Sequence, residues 1–258
     1  MSTIAQEVVD AHARRTSSAV ARAAELFSAE ANFVADEVAA YLTNSLEIHQ
    51  GVVARSGANS RVLSTVQDEY RKALCKSGYG AVAVAFSSVV IDQVGEFKEV
   101  LELAGLADEV EFTEDDLSTL SNHATSVARL LDAHAKKVEN DLVRLLCMSL
   151  GVTDVGQLTK GISGVIRKLS EVKPIISNHI MSFYKLVGSL VYRKLESGGR
   201  SLRYRYVGPE AKRGFCKQLL GKDFSLAEVQ VMENGQVPDV LSTGGGWGCA
   251  HWWVPEVR

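Results

Sequence analysis

The stretch Ser197-Gly198-Gly199-Arg200-Ser201-Leu202-Arg203-Tyr204-Arg205-Tyr206 separates two kinds of sequence. Upstream, Ala, Leu and Val recur at helical spacing, and Pro174 is the lone proline. Downstream come Pro209, Pro238 and Pro255, all three tryptophans, and Cys216, Cys249 and His251. The Ser-Gly-Gly break closes the helical part. After it, Leu202, Tyr204 and Tyr206 alternate with Arg203 and Arg205, the period of a half-buried strand. The expected fold is therefore mainly α: a long-helix bundle or stalk over residues 1–199, then a small C-terminal α+β module over 200–258.

Working back from the break, Pro174 to Glu196 and Thr153 to Val172 read as helices, with Pro174 suited to a first turn. A helix start at Thr113 is strongly marked. Thr113 is the N-cap, Asp116 closes a capping-box-like pair, and Phe112 with Leu117 forms a staple. Leu117, Leu120, Ala124, Val127, Leu131, Val138, Leu145 and Met148 then line one face as far as Gly151. Ala81 to Leu103 opens with valines that would suit a buried strand, but Val94, Phe97, Val100 and Leu101 favour a helix. Arg61 to Lys76 is a further helix, with Leu63, Val66, Tyr70 and Leu74 on its apolar side. From Ser17 to Gln50, Val20, Phe27, Val34, Tyr41 and Ile48 recur every seventh residue beside the mostly small Ala24, Ala31, Val38 and Ser45. This is a coiled-coil-like stripe about 50 Å long at 1.5 Å per residue. It must find a partner helix, in this chain or in another copy. Val20, Phe27, Val34 and Tyr41 are accordingly candidate assembly residues.

Within the last sixty residues, Phe215 to Leu220 reads as a short helix ended by Gly221. Ser225 with Glu228 forms a capping box, and Phe224 with Val229 a staple, opening a second short helix from Leu226 to Glu233. Asn234-Gly235 turns the chain. Tyr204, Tyr206, Trp247, Trp252 and Trp253 are the expected core of this small module, because so few residues need large anchors.

At 258 residues the chain is long enough for a real core, and a hydrophobic content of 46% is ordinary for a globular protein. A formal charge of −3 gives no electrostatic reason to expect nucleic acid or an anionic membrane as partner. No apolar run reaches the roughly 18 residues a bilayer demands, and Glu7 and Asp10 sit where a secretory signal would be apolar. Four cysteines without a dense framework suit a reducing cytoplasm.

Cys216, Cys249 and His251 admit three readings. As metal ligands they fall one short of the usual four, and no second Cys stands two to four residues from Cys216. As a disulfide, Cys216–Cys249 would close a loop of roughly 30 residues, worth about 3–4 kcal/mol in the chain-entropy model. As plain core residues they are two buried thiols and a hydrogen-bonded histidine. Gly244-Gly245-Gly246-Trp247-Gly248 lacks the Lys-Ser/Thr of a phosphate loop. His12, His49, His123, His134 and His179 lack the i, i+4 pairing of a metal-binding helix face, and no nucleophile elbow is present.

One ordered series of short motifs remains: Arg205-Tyr206-Val207-Gly208-Pro209, Phe215-Cys216, Gly221-Lys222, Met232-Glu233-Asn234-Gly235-Gln236, then Gly244 through Pro255. This series resembles the C-terminal module of minor head (head-morphogenesis, Mu F-like) proteins of tailed bacteriophages. It covers about the last 55 residues, and upstream the likeness is one of helical character alone. This chain carries Ala250 where the family often has Arg, and Leu219 where many relatives have a second Cys. The resemblance implies a structural virion protein without a catalytic centre, made in the host cytoplasm and placed at the head or head–tail junction. It would act in head assembly, head–tail connection or DNA delivery. Its partners would be portal or head–tail proteins and further copies of itself, and DNA contact is not indicated by charge. No cofactor is expected, structural zinc on Cys216, Cys249 and His251 being the exception considered. The reading from another class is a zinc-dependent nuclease or nucleic-acid-binding module built on those three residues.

Overall fold

The computed structural model describes residues 3–91, 93–103, 106, 110–149 and 154–256. Among them the chain is mainly helical, with a small sheet near its C-terminal end. The helices are α1 (Thr3–Ser45), α2 (Gly57–Lys76), α3 (Tyr79–Ile91), α4 (Gln93–Leu103), α5 (Glu114–Ser149), α6 (Val155–Arg167) and α7 (Lys173–Ser197). A two-residue hairpin, β1 (Ile48–His49) and β2 (Val52–Val53), joins α1 to α2. After α7 follow β3 (Arg203–Val207), α8 (Gly214–Leu219), β4 (Asp223–Ser225), α9 (Leu226–Gln230), α10 (Val240–Thr243) and β5 (Trp252–Glu256). No described helix is long and apolar enough to cross a membrane.

The expected helix starts are realised in hydrogen bonds. Thr113 N donates to Asp116 Oδ2 at 2.8 Å, and Asp116 N donates back to Thr113 Oγ1 at 3.3 Å, closing the box that opens α5. Burial works against ionisation of Asp116, but bonds from Lys194 and Thr113 outweigh it and hold its pKa below the usual carboxylate value. Ser225 and Glu228 make the same reciprocal cap at α9. Ser56 caps α2 four residues earlier than the apolar pattern alone suggests, and Asp154 caps α6. The expected helix end at Gly151 and start at Thr153 lie outside the described residues.

The compact units of the chain do not follow the expected boundary at Gly199. One comprises residues 20–86 and 127–175; the other comprises 1–19, 87–126 and 176–258. In the first, α1 buries Ala23, Phe27, Ala31, Val34, Ala35, Val38, Leu42 and Leu46. Phe27 packs edge-on against Tyr79 with ring centroids 4.9 Å apart. Phe27 and Val34 are thus fully enclosed within their own unit and are not free assembly surface. Val20 is half-buried, as is Tyr41, whose hydroxyl lies 2.6 Å from Thr65 Oγ1. A straight helix turns every 3.6 residues, so a strict seven-residue repeat drifts around it, and by Ile48 the stripe has left both the helix and the core. The same drift in α5 moves the buried line from Leu131 and Val138 to Leu142 and Leu146, leaving Met148 exposed.

Asn59 is completely buried at the start of α2. Its Oδ1 accepts from Glu47 N at 2.7 Å, and its Nδ2 donates to Glu47 O and Ala54 O, each at 2.8 Å. Glu47 O and Ala54 O also accept from Ala54 N and Ser56 N, so the amide is the partner of Glu47 N and a second donor to the two carbonyls.

In the other unit β3 is central, with order β4-β3-β5 and both pairings antiparallel. Tyr204 and Tyr206 are fully buried, while Arg203 and Arg205 stand half-exposed on the other side. Arg205 pairs with Asp223 directly across the sheet through two N–H···O contacts of 2.7 and 3.0 Å. Pro255, which lacks a donor, sits on the edge strand β5. The buried face of the sheet meets α7, which is apolar nearly all round: Ile176, Ile180, Phe183, Tyr184, Val187, Val191, Tyr192 and Leu195 are all buried. Tyr192 Oη donates to Trp253 O at 2.6 Å, and Gly188 lets the Phe97 ring of α4 come close to the α7 backbone. On α7 and α5, His179 stacks on His123 at 4.8 Å.

Two outcomes are expected. Replacing Asn59 with Ala removes three hydrogen bonds and leaves Glu47 N without its partner, and should lower unfolding free energy by about 1–3 kcal/mol, read as an earlier urea midpoint with unchanged slope. His179 is pushed by burial, and secondarily by His123, down to about 4. Its neutral form is the one the fold prefers, so its contribution is complete above the unfolded value of about 6.5 and is lost as pH falls from there toward 4. Thermal midpoints should therefore drop between pH 7 and pH 5, and His179→Phe should flatten that slope.

Candidate functional site

Three separated pieces of the last sixty residues meet on one side of β3. Cys216 comes from α8, Cys249 and His251 from the chain leading into β5, and Tyr206 from β3 itself. Cys216, Cys249 and His251 are 1%, 6% and 5% exposed, and their ligand atoms all lie within 4.8 Å of one another. The sulfurs are 3.7 Å apart and both cysteines are free thiols, so the disulfide reading does not describe this structure. Tyr206 Oη lies 3.6 Å from Cys216 Sγ and 3.4 Å from Cys249 Sγ. Among the described residues this is the one cluster of three or more His, Cys, Asp or Glu side chains with metal-binding geometry.

The orientation of His251 is fixed from behind. Its Nε2 donates to Pro209 O at 2.8 Å, which places the proton on that nitrogen and turns Nδ1 toward Cys249 Sγ, 3.5 Å away. The backbone N–H of His251 also points at that sulfur, at 3.4 Å. Burial opposes ionisation of Cys249, yet the His251 contacts, the Lys185 ammonium and the Tyr206 hydroxyl together bring its thiol down to about 5. Cys216 moves the other way: burial raises it, and the neighbouring Cys249 adds to the rise despite the Tyr206 bond. Burial, reinforced by the two sulfurs, holds the Tyr206 proton far more tightly than in an ordinary phenol.

Lys185 is the site residue that sequence reasoning missed. It lies on α7, is buried, and its ammonium donates to the carbonyls of Cys249 and Thr243. Burial lowers its pKa while the two cysteines pull it back up. A lysine one residue from Tyr184 and three from Gly188, on a helix buried all round, was the available signal. Nothing in the local sequence tied it to cysteines more than thirty residues away.

The glycine run is packing space. A Cβ on Gly245 would collide with Cys216 Sγ and stand 3.2 Å from Cys249 Sγ. Gly244, at φ +60°, would drive a Cβ to 2.8 Å from His251 O. Of the five aromatic residues expected in the core, Tyr204, Tyr206, Trp252 and Trp253 are buried, and Trp253 stacks near Tyr206 at 4.6 Å. Trp247 is not: it is 73% exposed. Its backbone is pinned instead, since Trp247 N donates to Gln236 Oε1 at 3.0 Å and Arg213 donates to Trp247 O. The glycines on either side shape a tight loop whose tip turns the indole outward.

Chemically, two soft sulfurs, one imidazole lone pair and a phenol oxygen in a closed space suit holding a cation or a proton network.

Gly245→Ala should therefore lose about 1–3 kcal/mol through overpacking against Cys216. Gly164→Ala, on an exposed turn of α6 with open space at its Cβ, should gain about 0.5–1 kcal/mol from helix propensity. Paired urea titrations check the opposite signs. Comparison of the chain with protein-family models, with curated proteins and with solved structures finds no match to any of them.

Proposed function

We propose that this chain is a structural protein of a tailed-bacteriophage particle, at or near the portal or head–tail vertex, acting in head assembly, head–tail connection or DNA delivery. The observation that carries the reading is the convergence of the motif series. Tyr206, Pro209, Cys216, the Gly244–Gly248 loop, Cys249 and His251 are dispersed over more than forty positions, yet they contact one another around a single buried cluster. Motifs that build one small fold are expected to travel together, and this set is the one that resembles the phage minor head module.

Several features support a constructional role over the zinc-dependent nuclease. A catalytic metal keeps an open position facing its substrate. Here the three ligand candidates are almost wholly enclosed. The charge of −3 offers no electrostatic footprint for DNA. With Phe27 and Val34 enclosed, the partner-facing residue in this reading is Trp247, an exposed indole on a backbone fixed by Arg213 and Gln236. Rigid exposed aromatics are typical anchors of protein interfaces. The chain would act in several copies arranged by the symmetry of the vertex.

Mass spectrometry of density-purified particles from the source virus or prophage should detect the chain at constant stoichiometry, and the chain should co-purify with portal protein. Trp247→Ala should reduce incorporation by about tenfold or more, the loss of about 1.4 kcal/mol of binding, while leaving the thermal midpoint within a degree or two. A chain absent from particles, or one whose incorporation ignores Trp247, would count against the role and the contact respectively.

A further inference from the structure

We infer that Cys216 Sγ, Cys249 Sγ, His251 Nδ1 and Tyr206 Oη are the four ligands of one tetrahedral structural site for a zinc-class divalent cation. The inference stands on local geometry and does not depend on the chain belonging to a virus particle.

Ligand bonds of about 2.3 Å to sulfur and about 2.0–2.2 Å to nitrogen or oxygen, set at tetrahedral angles, place neighbouring ligand atoms at predictable separations. Sulfur to sulfur should be about 3.8 Å, and sulfur to nitrogen or oxygen about 3.6 Å, from those bond lengths. The observed Cys216–Cys249 sulfur separation is 3.7 Å, Cys249 Sγ to His251 Nδ1 is 3.5 Å, and Tyr206 Oη to the two sulfurs is 3.6 and 3.4 Å. The sulfur pair alone would fit ordinary contact. Three further edges have the lengths one tetrahedron requires and are shared among four different side chains. The ligand atoms of Cys216 and His251 are within 4.8 Å.

The surroundings are those of a ligand set. His251 donates its second nitrogen to Pro209 O, the outer bond that aims a metal-binding imidazole. The His251 amide points at Cys249 Sγ, a stabilising contact for a thiolate. Gly245 has no Cβ where Cys216 Sγ must sit. Charge balance then accounts for Lys185. Two thiolates and one phenolate around a divalent cation carry a net charge of −1, their protons released to solvent. Lys185, buried and hydrogen-bonded to the carbonyls of Cys249 and Thr243, supplies positive charge beside it, as does Arg213, which donates to Gly245 O. A bound cation reverses the local preference that otherwise keeps the Tyr206 proton in place. Mixed sulfur and nitrogen ligands in a closed tetrahedron select zinc over magnesium or calcium.

The test is metal content and native mass of the full chain, purified under reducing conditions and dialysed with zinc as the added metal. One zinc per chain, with strong loss of thermal stability on chelation, is expected. Because Cys216→Ser or Cys249→Ser variants can fail to fold, cobalt replacement in the unsubstituted chain provides the second readout. Intense tetrahedral d–d bands with a sulfur-to-cobalt charge-transfer band are expected. Tyr206→Phe should keep the fold, lower zinc affinity at least about tenfold, and alter the cobalt spectrum. A folded, metal-free chain with both thiols intact, or a Cys216–Cys249 disulfide seen as a mass lower by two hydrogens, overturns the site. Unchanged affinity and spectrum in Tyr206→Phe overturn the four-ligand assignment.

Discussion

Helix α7 is buried around nearly its whole circumference, and the C-terminal sheet exists because that helix provides its other wall. Three strands of five, three and five residues cannot enclose a core by themselves. The aromatic side chains Tyr184 and Tyr192 reach from α7 to Trp252, Tyr204 and the Trp253 carbonyl, and Lys185 reaches the Cys249 carbonyl. The Tyr192 hydroxyl and the Lys185 ammonium each find a carbonyl there, where a stranded polar group would cost about 1–3 kcal/mol. The helix and the sheet therefore share one core.

That dependence orders the cluster as well. β3 is fixed by α7 on its buried face and by the Arg205–Asp223 pair on its other face, so Tyr206 has little freedom in where its hydroxyl ends. β5 is fixed by its register with β3, Tyr206 opposite Trp253, which places His251 just before the strand. The Gly244–Gly248 loop then has to return the chain through a space already filled with sulfur and phenol. Only residues without side chains can make that passage. Trp247 is carried out of the core by the same constraint that empties its neighbours of side chains.

Local signals were the legible part of the sequence. Capping pairs at Thr113 and Ser225, the first-turn Pro174, and the alternation of Tyr204 and Tyr206 each act within a few residues, and each is realised where the pattern placed it. Patterns that accumulate over many residues were less faithful. The heptad reading of α1 named Phe27 and Val34 correctly as stripe residues, but a periodicity says which face is apolar and never which surface covers it. The answer, here, was the same chain. Trp247 failed for a different reason: composition argues that a tryptophan wants burial, while backbone crowding at the neighbouring glycines decided otherwise. Cys216, Cys249 and His251 could be singled out by residue type, but their proximity, and the entry of Tyr206 and Lys185, depend on register and helix packing that no short motif encodes.

A buried ammonium with no carboxylate partner among the described residues is the feature of this interior that most needs a physical reason. Lys185 could have been leucine at far smaller desolvation cost, and a simple apolar interface between α7 and the sheet would then have been more stable. A lysine persists in such a place when something opposite it is negative. The described groups within its reach are two carbonyls and, beyond them, the sulfurs of Cys249 and Cys216, with the Arg213 guanidinium opposing its charge. Carbonyl dipoles alone compensate a full charge poorly. Anionic sulfur compensates it well, and burial of the sulfurs is tolerable only if they in turn are held by donors or a cation. The charge on α7 and the ionisation of the cysteine cluster thus support each other, and removing either leaves the other as an uncompensated buried ion.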